Sequence, residues 1–255
     1  MSLSAGVLSA GFTHLIDVKQ WFFYGAFSFC STFAVYNGQR LFKTDRNVQT
    51  PWMKWVKKNK RILSIEVFLF AAGALYFLVQ LNNLSLFAMG ILFFASVVSL
   101  LYVLKIKSRT LRETPYLKSH LIAFSWMAVV ILFPVMNEGK EIHILFVALA
   151  HYLYTLAATI PFDIRDLKYD HPAQKTIPQV IGVVPAKIVA CALLLGFAAL
   201  MLHSYPKLSY NYVFYVAVVA QIILVALMNE NRKDFYCAGL IDGAIALVGL
   251  SYLVA

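Results

Sequence analysis

Apolar residues in this chain run on continuously instead of alternating with polar ones. Nearly unbroken apolar stretches cover residues 20–36, 62–81, 84–104, 119–136, 142–160, 184–202, 209–228 and 236–254. Each is close to the roughly 20 residues that carry an α-helix across the hydrocarbon core of a bilayer. A ninth stretch at 2–16, rich in Gly and Ser, predicts a shorter or tilted helix. It has no basic segment before it and no clear small-residue cleavage site after it, so a removed signal peptide is not expected. Continuous runs also exclude a β-barrel, whose strands alternate with a period of two. The pattern predicts an all-α, polytopic membrane protein: a bundle of eight to nine transmembrane helices forming a single domain over residues 1–255.

Composition agrees, with 61% hydrophobic and 13% charged residues and a mean hydropathy of +0.73. The net charge of +10 changes the picture only through its placement. Nineteen of the 22 Lys and Arg fall within 40–61, 105–118, 165–187 and 232–233, loops that alternate topology puts on one side; Lys19, Lys140 and Lys207 fall on the other. The positive-inside rule places the four basic loops in the cytoplasm, as in a bacterial cytoplasmic membrane. Attraction to anionic membrane lipids is a secondary effect of the same charges. A nucleic-acid partner is not expected, because no compact basic module is present. Cys30, Cys191 and Cys237 lie inside apolar spans without metal-ligand spacing and read as small buried hydrophobes.

Chemistry concentrates in the stretch PFDIRDLKYDHPAQKTIP, residues 161–178, which begins where an apolar run ends. Helical geometry would place Asp163, Asp166 and Asp170 on one face, at i, i+3 and i+7. Like charges so placed repel unless they are partnered. A hard cation such as Mg²⁺ takes carboxylate oxygens and leaves positions for phosphate oxygens, so the face suits metal-held diphosphate. The alternative is that the aspartates pair with Arg165, Lys168 and Lys175 in a solvated loop. Pro161 should kink the helix or begin a new one, whose terminal amides would sit near an anion. A second polar cluster, YNGQRLFKTDRN from Tyr36 to Asn47, ends the 20–36 run four helices earlier. A third, in LYVLKIKSRTLRETPYLK, offers Tyr102 with Lys105 or Lys107 as phosphate contacts, or simply a basic loop that sets topology.

The two main clusters resemble the aspartate-rich motifs of the UbiA superfamily of intramembrane prenyltransferases. DIRDLKYD followed by KTIPQVIG is similar to the second motif of that family, and with the 2–16 segment counted, the motif helices fall second and sixth. The resemblance implies Asp163, Asp166 and Asp170 as Mg²⁺ ligands and catalytic residues. It further implies Asn37, Arg40, Lys43, Asp45, Tyr102, Lys105, Arg165 and Lys175 as substrate contacts. The expected partners are a polyprenyl diphosphate and a lipophilic acceptor, besides membrane lipids and protein partners in the membrane. The first motif departs from the family pattern: Asn37 and Asp45 stand at its outer positions, but Gly38 and Leu41 replace the two intervening aspartates. One consequence would be direct contact of Arg40 and Lys43 with the diphosphate in place of a metal. The other would be loss of catalysis, leaving a lipid-binding or complex-assembly subunit. A transporter lacks a matched pair of broken helices in this sequence.

Three ionisable residues, Glu66, His151 and Asp242, fall within apolar runs, where such groups tend to face protein or a cavity. His151 suits either an interhelical hydrogen bond or, with Tyr152, Tyr154, Thr155 and Thr159, the lining of an acceptor site.

Overall fold

The computed structural model describes residues 1–42, 51–106, 109–140 and 143–255. The helices are α1 (Ser2–Leu15), α2 (Trp21–Phe42), α3 (Pro51–Lys58), α4 (Lys60–Gln80) and α5 (Leu86–Leu101). After them come α6 (Leu117–Glu138) and α7 (Ile144–Asp166), then α8 (Ile177–Ile181), α9 (Val183–Ser204) and α10 (Tyr212–Ala226). The last is α11 (Tyr236–Leu253). A small hairpin between α5 and α6 pairs Lys105–Ile106 with Arg109–Thr110. The all-α architecture expected from the apolar runs is therefore present.

Fewer helices than the eight to nine expected reach full crossing length and apolarity. Among the described residues five helices are both long and apolar enough to cross a membrane: α4, α6, α7, α9 and α11. In two runs the apolar count overestimates helix length, because their ends form caps and turns. The 84–104 run loses Ser85 to the N-cap of α5, where its hydroxyl accepts from the Ala88 N–H, and α5 ends at Leu101. The 209–228 run likewise starts in a 3₁₀ turn and becomes helical only at Tyr212. The shorter first segment forms a 14-residue helix, about 21 Å long at the helical rise.

That short helix is central. It packs against α2 on one side and α11 on the other, and also touches the middle of α6. Close approach is made possible by glycine. A Cβ at Gly11 would lie 1.9 Å from the Gly249 carbonyl oxygen, and a Cβ at Gly25 would lie 2.6 Å from Ala10 Cβ. Small residues that let helix backbones meet are the usual means of association where lipid offers no hydrophobic driving force. The remaining neighbours are α2 with α4, α11 with α10, α10 with α9, α9 with α7, α7 with α6 and α6 with α5. Apolar side chains such as Phe68, Leu69, Phe87 and Ile188 point outward and are exposed, as suits helices bathed in hydrocarbon.

Two helices contain wider π turns, at Met127–Leu132 in α6 and at Tyr236–Ile241 at the start of α11. The first lies just before Pro134, whose ring lacks an N–H and excludes the carbonyl four residues back, that of Val130. Two polar groups within the bundle find partners across helices. His151 holds the Val147 carbonyl with Nδ1 at 2.9 Å and meets the Tyr252 hydroxyl with Nε2 at 3.3 Å, between Phe12 and Phe197. This is the interhelical role. At the end away from the aspartates, the Tyr24 hydroxyl donates to Glu138 Oε1 at 2.6 Å and accepts from Asn137 Nδ2 at 2.7 Å. Tyr24→Phe is expected to cost about 1–3 kcal/mol, since both partners lose a bond in a part-buried site. Denaturation of the purified protein in detergent would show it, and a change below a few tenths of a kcal/mol would mean water replaces the hydroxyl.

Candidate functional site

The second acidic cluster is assembled where α7 ends. The helix runs through Pro161 and stops at Asp166. No new helix starts at the proline, contrary to one expectation, so no helix N-terminus is supplied there. Asp163 and Asp166 thus lie on the helix, while Asp170 follows a turn in which the N–H groups of Tyr169 and Asp170 both donate to the Asp166 carbonyl, each at 2.8 Å.

The aspartates are partnered by cations from elsewhere in the chain. Lys118, in the first turn of α6, places Nζ 2.8 Å from Asp163 Oδ1 and also contacts Asp170 Oδ2. Ser119 donates its hydroxyl to Asp163 Oδ2 at 2.5 Å. Arg112, from the 3₁₀ turn before α6, donates to Asp170 Oδ1 at 2.9 Å. The group is enclosed: Asp163 is 2% exposed, Lys118 5% and Asp170 9%. Asp166 is held by its neighbour, with Arg165 Nε and Nη2 at 2.8 and 3.1 Å from its two oxygens. All six carboxylate oxygens of the motif therefore accept from a protein donor.

Electrostatics follow from this placement. Tyr102 and then Asp170 raise the Arg112 guanidinium above its ordinary range, against the opposing effect of burial. Arg112 also lies 5.9 Å from the centre of the Tyr102 ring, which brings Tyr102 into the site. Buried charges paired this closely hold one another in place, since removing either leaves the other uncompensated.

The first cluster reaches the same end of the bundle. Arg40 donates to Asn37 Oδ1 at 3.0 Å and lies 4.4 Å over the Tyr36 ring. Asn37 in turn donates to the Phe33 carbonyl at 3.2 Å. Arg40 and Tyr36 are within electrostatic reach of Arg165, which itself approaches Asp234 at 3.5 Å and lies over Phe162. The two clusters, well over a hundred residues apart in sequence, thus converge through Arg40 and Arg165.

Other expected contacts fall elsewhere. Lys175 takes a left-handed backbone conformation with φ 46° and sits 5.6 Å from the Tyr116 ring. Lys168 donates to Asn231. Lys43, Asp45 and Lys107, and the side chain of Lys105, lie outside the described residues. Sequence reasoning found the right loop between α5 and α6 but not the residues that matter most in it. In sequence Lys118 and Arg112 look like topology charges; the signal available is a lysine set directly against an apolar run, followed by Ser119 and His120.

The donor set bears on Mg²⁺ directly. Among the described residues no three His, Cys, Asp or Glu side chains converge as metal ligands. Mg²⁺ asks for a near-octahedral shell of oxygens, and here the oxygens are turned to ammonium, guanidinium and hydroxyl groups. As held, Asp163, Asp166 and Asp170 do not fit the metal.

Apolar space lies lower in the bundle. A groove of about 460 Å³ between α5 and α6 is lined by Phe87, Ile91, Phe94, Phe124, Ala128 and Leu132, among others. A space of only about 10 Å³ lies among Tyr154, Thr155, Thr159 and Phe162, which is room for a single water.

No model of a protein family and no curated protein matches this sequence. Solved structures do. A UbiA homolog from Archaeoglobus fulgidus bound to GPP and Mg²⁺ aligns with a TM-score of 0.58 and 15% identity, over 99% of this chain and 95% of its own. A second structure of a UbiA homolog from the same organism aligns with a TM-score of 0.54 and 15% identity, over 99% and 94%. With nearly the whole of both chains aligned, this chain carries the UbiA fold.

Proposed function

We propose that the protein binds a polyprenyl diphosphate with its headgroup at the polar end of the bundle and transfers the prenyl group to a lipophilic acceptor in the membrane. The observation that carries this reading is the convergence of Arg40 and Tyr36 with Arg165 beside the Asp163–Lys118–Asp170 network. Support for the ligand class comes from the structural neighbour bound to GPP.

The chain's own residues suffice to describe the chemistry. Guanidinium forks match phosphate oxygens bidentately, so Arg40 and Arg165 would bind and orient the diphosphate. As the carbon–oxygen bond ionises, charge grows on the departing diphosphate. Guanidinium groups held at that end would meet this charge, Arg165 by exchanging part of its hold on Asp166 for the diphosphate. The apolar helices below would keep water from the prenyl cation until the acceptor reaches it. The protein would sit in a bacterial cytoplasmic membrane with its basic loops in the cytoplasm.

A second reading is a non-catalytic, lipid-binding or complex-assembly subunit. It is favoured by one observation: the motif carboxylates are already neutralised from within.

Titrating the purified protein with geranylgeranyl diphosphate tests the proposal. Arg40→Ala and Arg165→Ala are each expected to weaken binding about 10- to 100-fold, the loss of one charge-assisted hydrogen bond. No saturable binding would overturn the proposal. Saturable binding without prenyl transfer to any quinone precursor or aromatic acceptor would leave the second reading.

A further inference from the structure

We infer that Lys118 is a built-in replacement for a divalent metal, so that the protein handles its diphosphate ligand without Mg²⁺; the diphosphate part of this rests on the reading above. The ammonium of Lys118 bridges carboxylates from two places in the motif, Asp163 on the helix and Asp170 beyond the turn. That is the position a bridging cation would take. It is a fixed occupant, because Lys118 is in the first turn of α6 and only 5% exposed.

Charge counting agrees with this. Asp163 and Asp170 contribute two negative charges, and Lys118 and Arg112 contribute two positive ones, so the enclosed group is neutral without a metal. A Mg²⁺ entering it would have to displace the ammonium and then sit beside it, two cations in a poorly screened site. Ser119 completes the shell at Asp163 Oδ2. The sequence points the same way at the other half of the mouth. Gly38 and Leu41 stand where further carboxylates would be needed, and Arg40 stands between them. Both halves have thus exchanged metal-held positive charge for side-chain positive charge.

Metal binding can be read without any turnover. Thermal unfolding in detergent, with EDTA or with Mn²⁺ or Mg²⁺ titrated to millimolar levels, is expected to give the same midpoint for the wild type throughout. Lys118→Met frees the two carboxylates and is expected to gain a shift of roughly 5–10 °C at metal a hundredfold above its Kd. A metal-dependent shift in the wild type that is lost in Asp163→Asn would overturn the inference, and this arm holds even where Lys118→Met fails to fold. Binding of geranylgeranyl diphosphate gives the second arm. Equal affinity in EDTA and in Mg²⁺ is the expected result; affinity that falls tenfold or more in EDTA overturns the inference while sparing the proposed ligand. Absence of all binding would overturn the ligand reading, and the wild-type metal titration would still decide the role of Lys118.

Discussion

Lys118→Met is expected to destabilise the protein by about 3–5 kcal/mol in metal-free buffer, because it strips the compensating charge from two buried carboxylates. The expectation rests on enclosure: Asp163 is 2% exposed, so water cannot take over from the ammonium. A double-mutant cycle with Asp163→Asn separates the ion pair from simple loss of packing. If the pair is the cause, the double variant is more stable than the sum of the single losses by about 0.5–3 kcal/mol, the range for residues in one network. Chemical denaturation in detergent at constant ionic strength would measure both terms. A Lys118→Met loss below about 1 kcal/mol would mean that the carboxylates relax toward solvent, and the enclosed network described here would be wrong.

Gly11→Val is expected to be at least as damaging, for a different reason. The first atom of any side chain at this position would lie 1.9 Å from the Gly249 carbonyl oxygen, and also near the rest of that residue's backbone. Backbone cannot move aside as a flexible side chain can, so α1 and α11 must separate. Overpacking ordinarily costs about 1–3 kcal/mol, and a clash between two backbones belongs at or above the top of that range. Gly243→Ala is the control: a Cβ there meets nothing within 4 Å, and removing a helical glycine should leave stability unchanged or raise it by about 0.5–1 kcal/mol. Equal losses in the two variants would show that the seam is not where stability resides.

Much of this architecture was legible because a bilayer imposes one rule on every crossing segment: its backbone must satisfy itself, and apolar length follows. The apolar runs therefore marked the helices, and the spacing of Asp163 and Asp166 marked the polar end of α7. The ends of the runs were less legible, since an apolar residue in a cap or a 3₁₀ turn looks the same as one in a helix. Ser85 and Tyr212 show where the boundary fell. Partners were the least legible of all. Nothing local in DIRDLKYD names Lys118 or Arg112, because both contacts bridge more than fifty residues of chain. The same holds for the seam of Gly11 and Gly249, since a glycine in an apolar run gives no sign of which backbone it meets.

That seam also sets an order of events during biosynthesis. α1 is made before α2 to α10, yet one of its two flanking helices, α11, is made after all of them. At about 5–20 residues per second, the first helix would wait roughly 10–50 s for α11 after leaving the ribosome. Through that interval it is held by its contact with α2, through Gly6, Ala10 and Gly25, and later by the middle of α6, but not by its second flanking helix. Closure of this seam thus comes after every helix that shapes the polar end of the bundle already exists. A chain stalled before that step would have made every charged residue of the mouth while its earliest segment stood half-unclasped in the lipid, open to quality-control proteases.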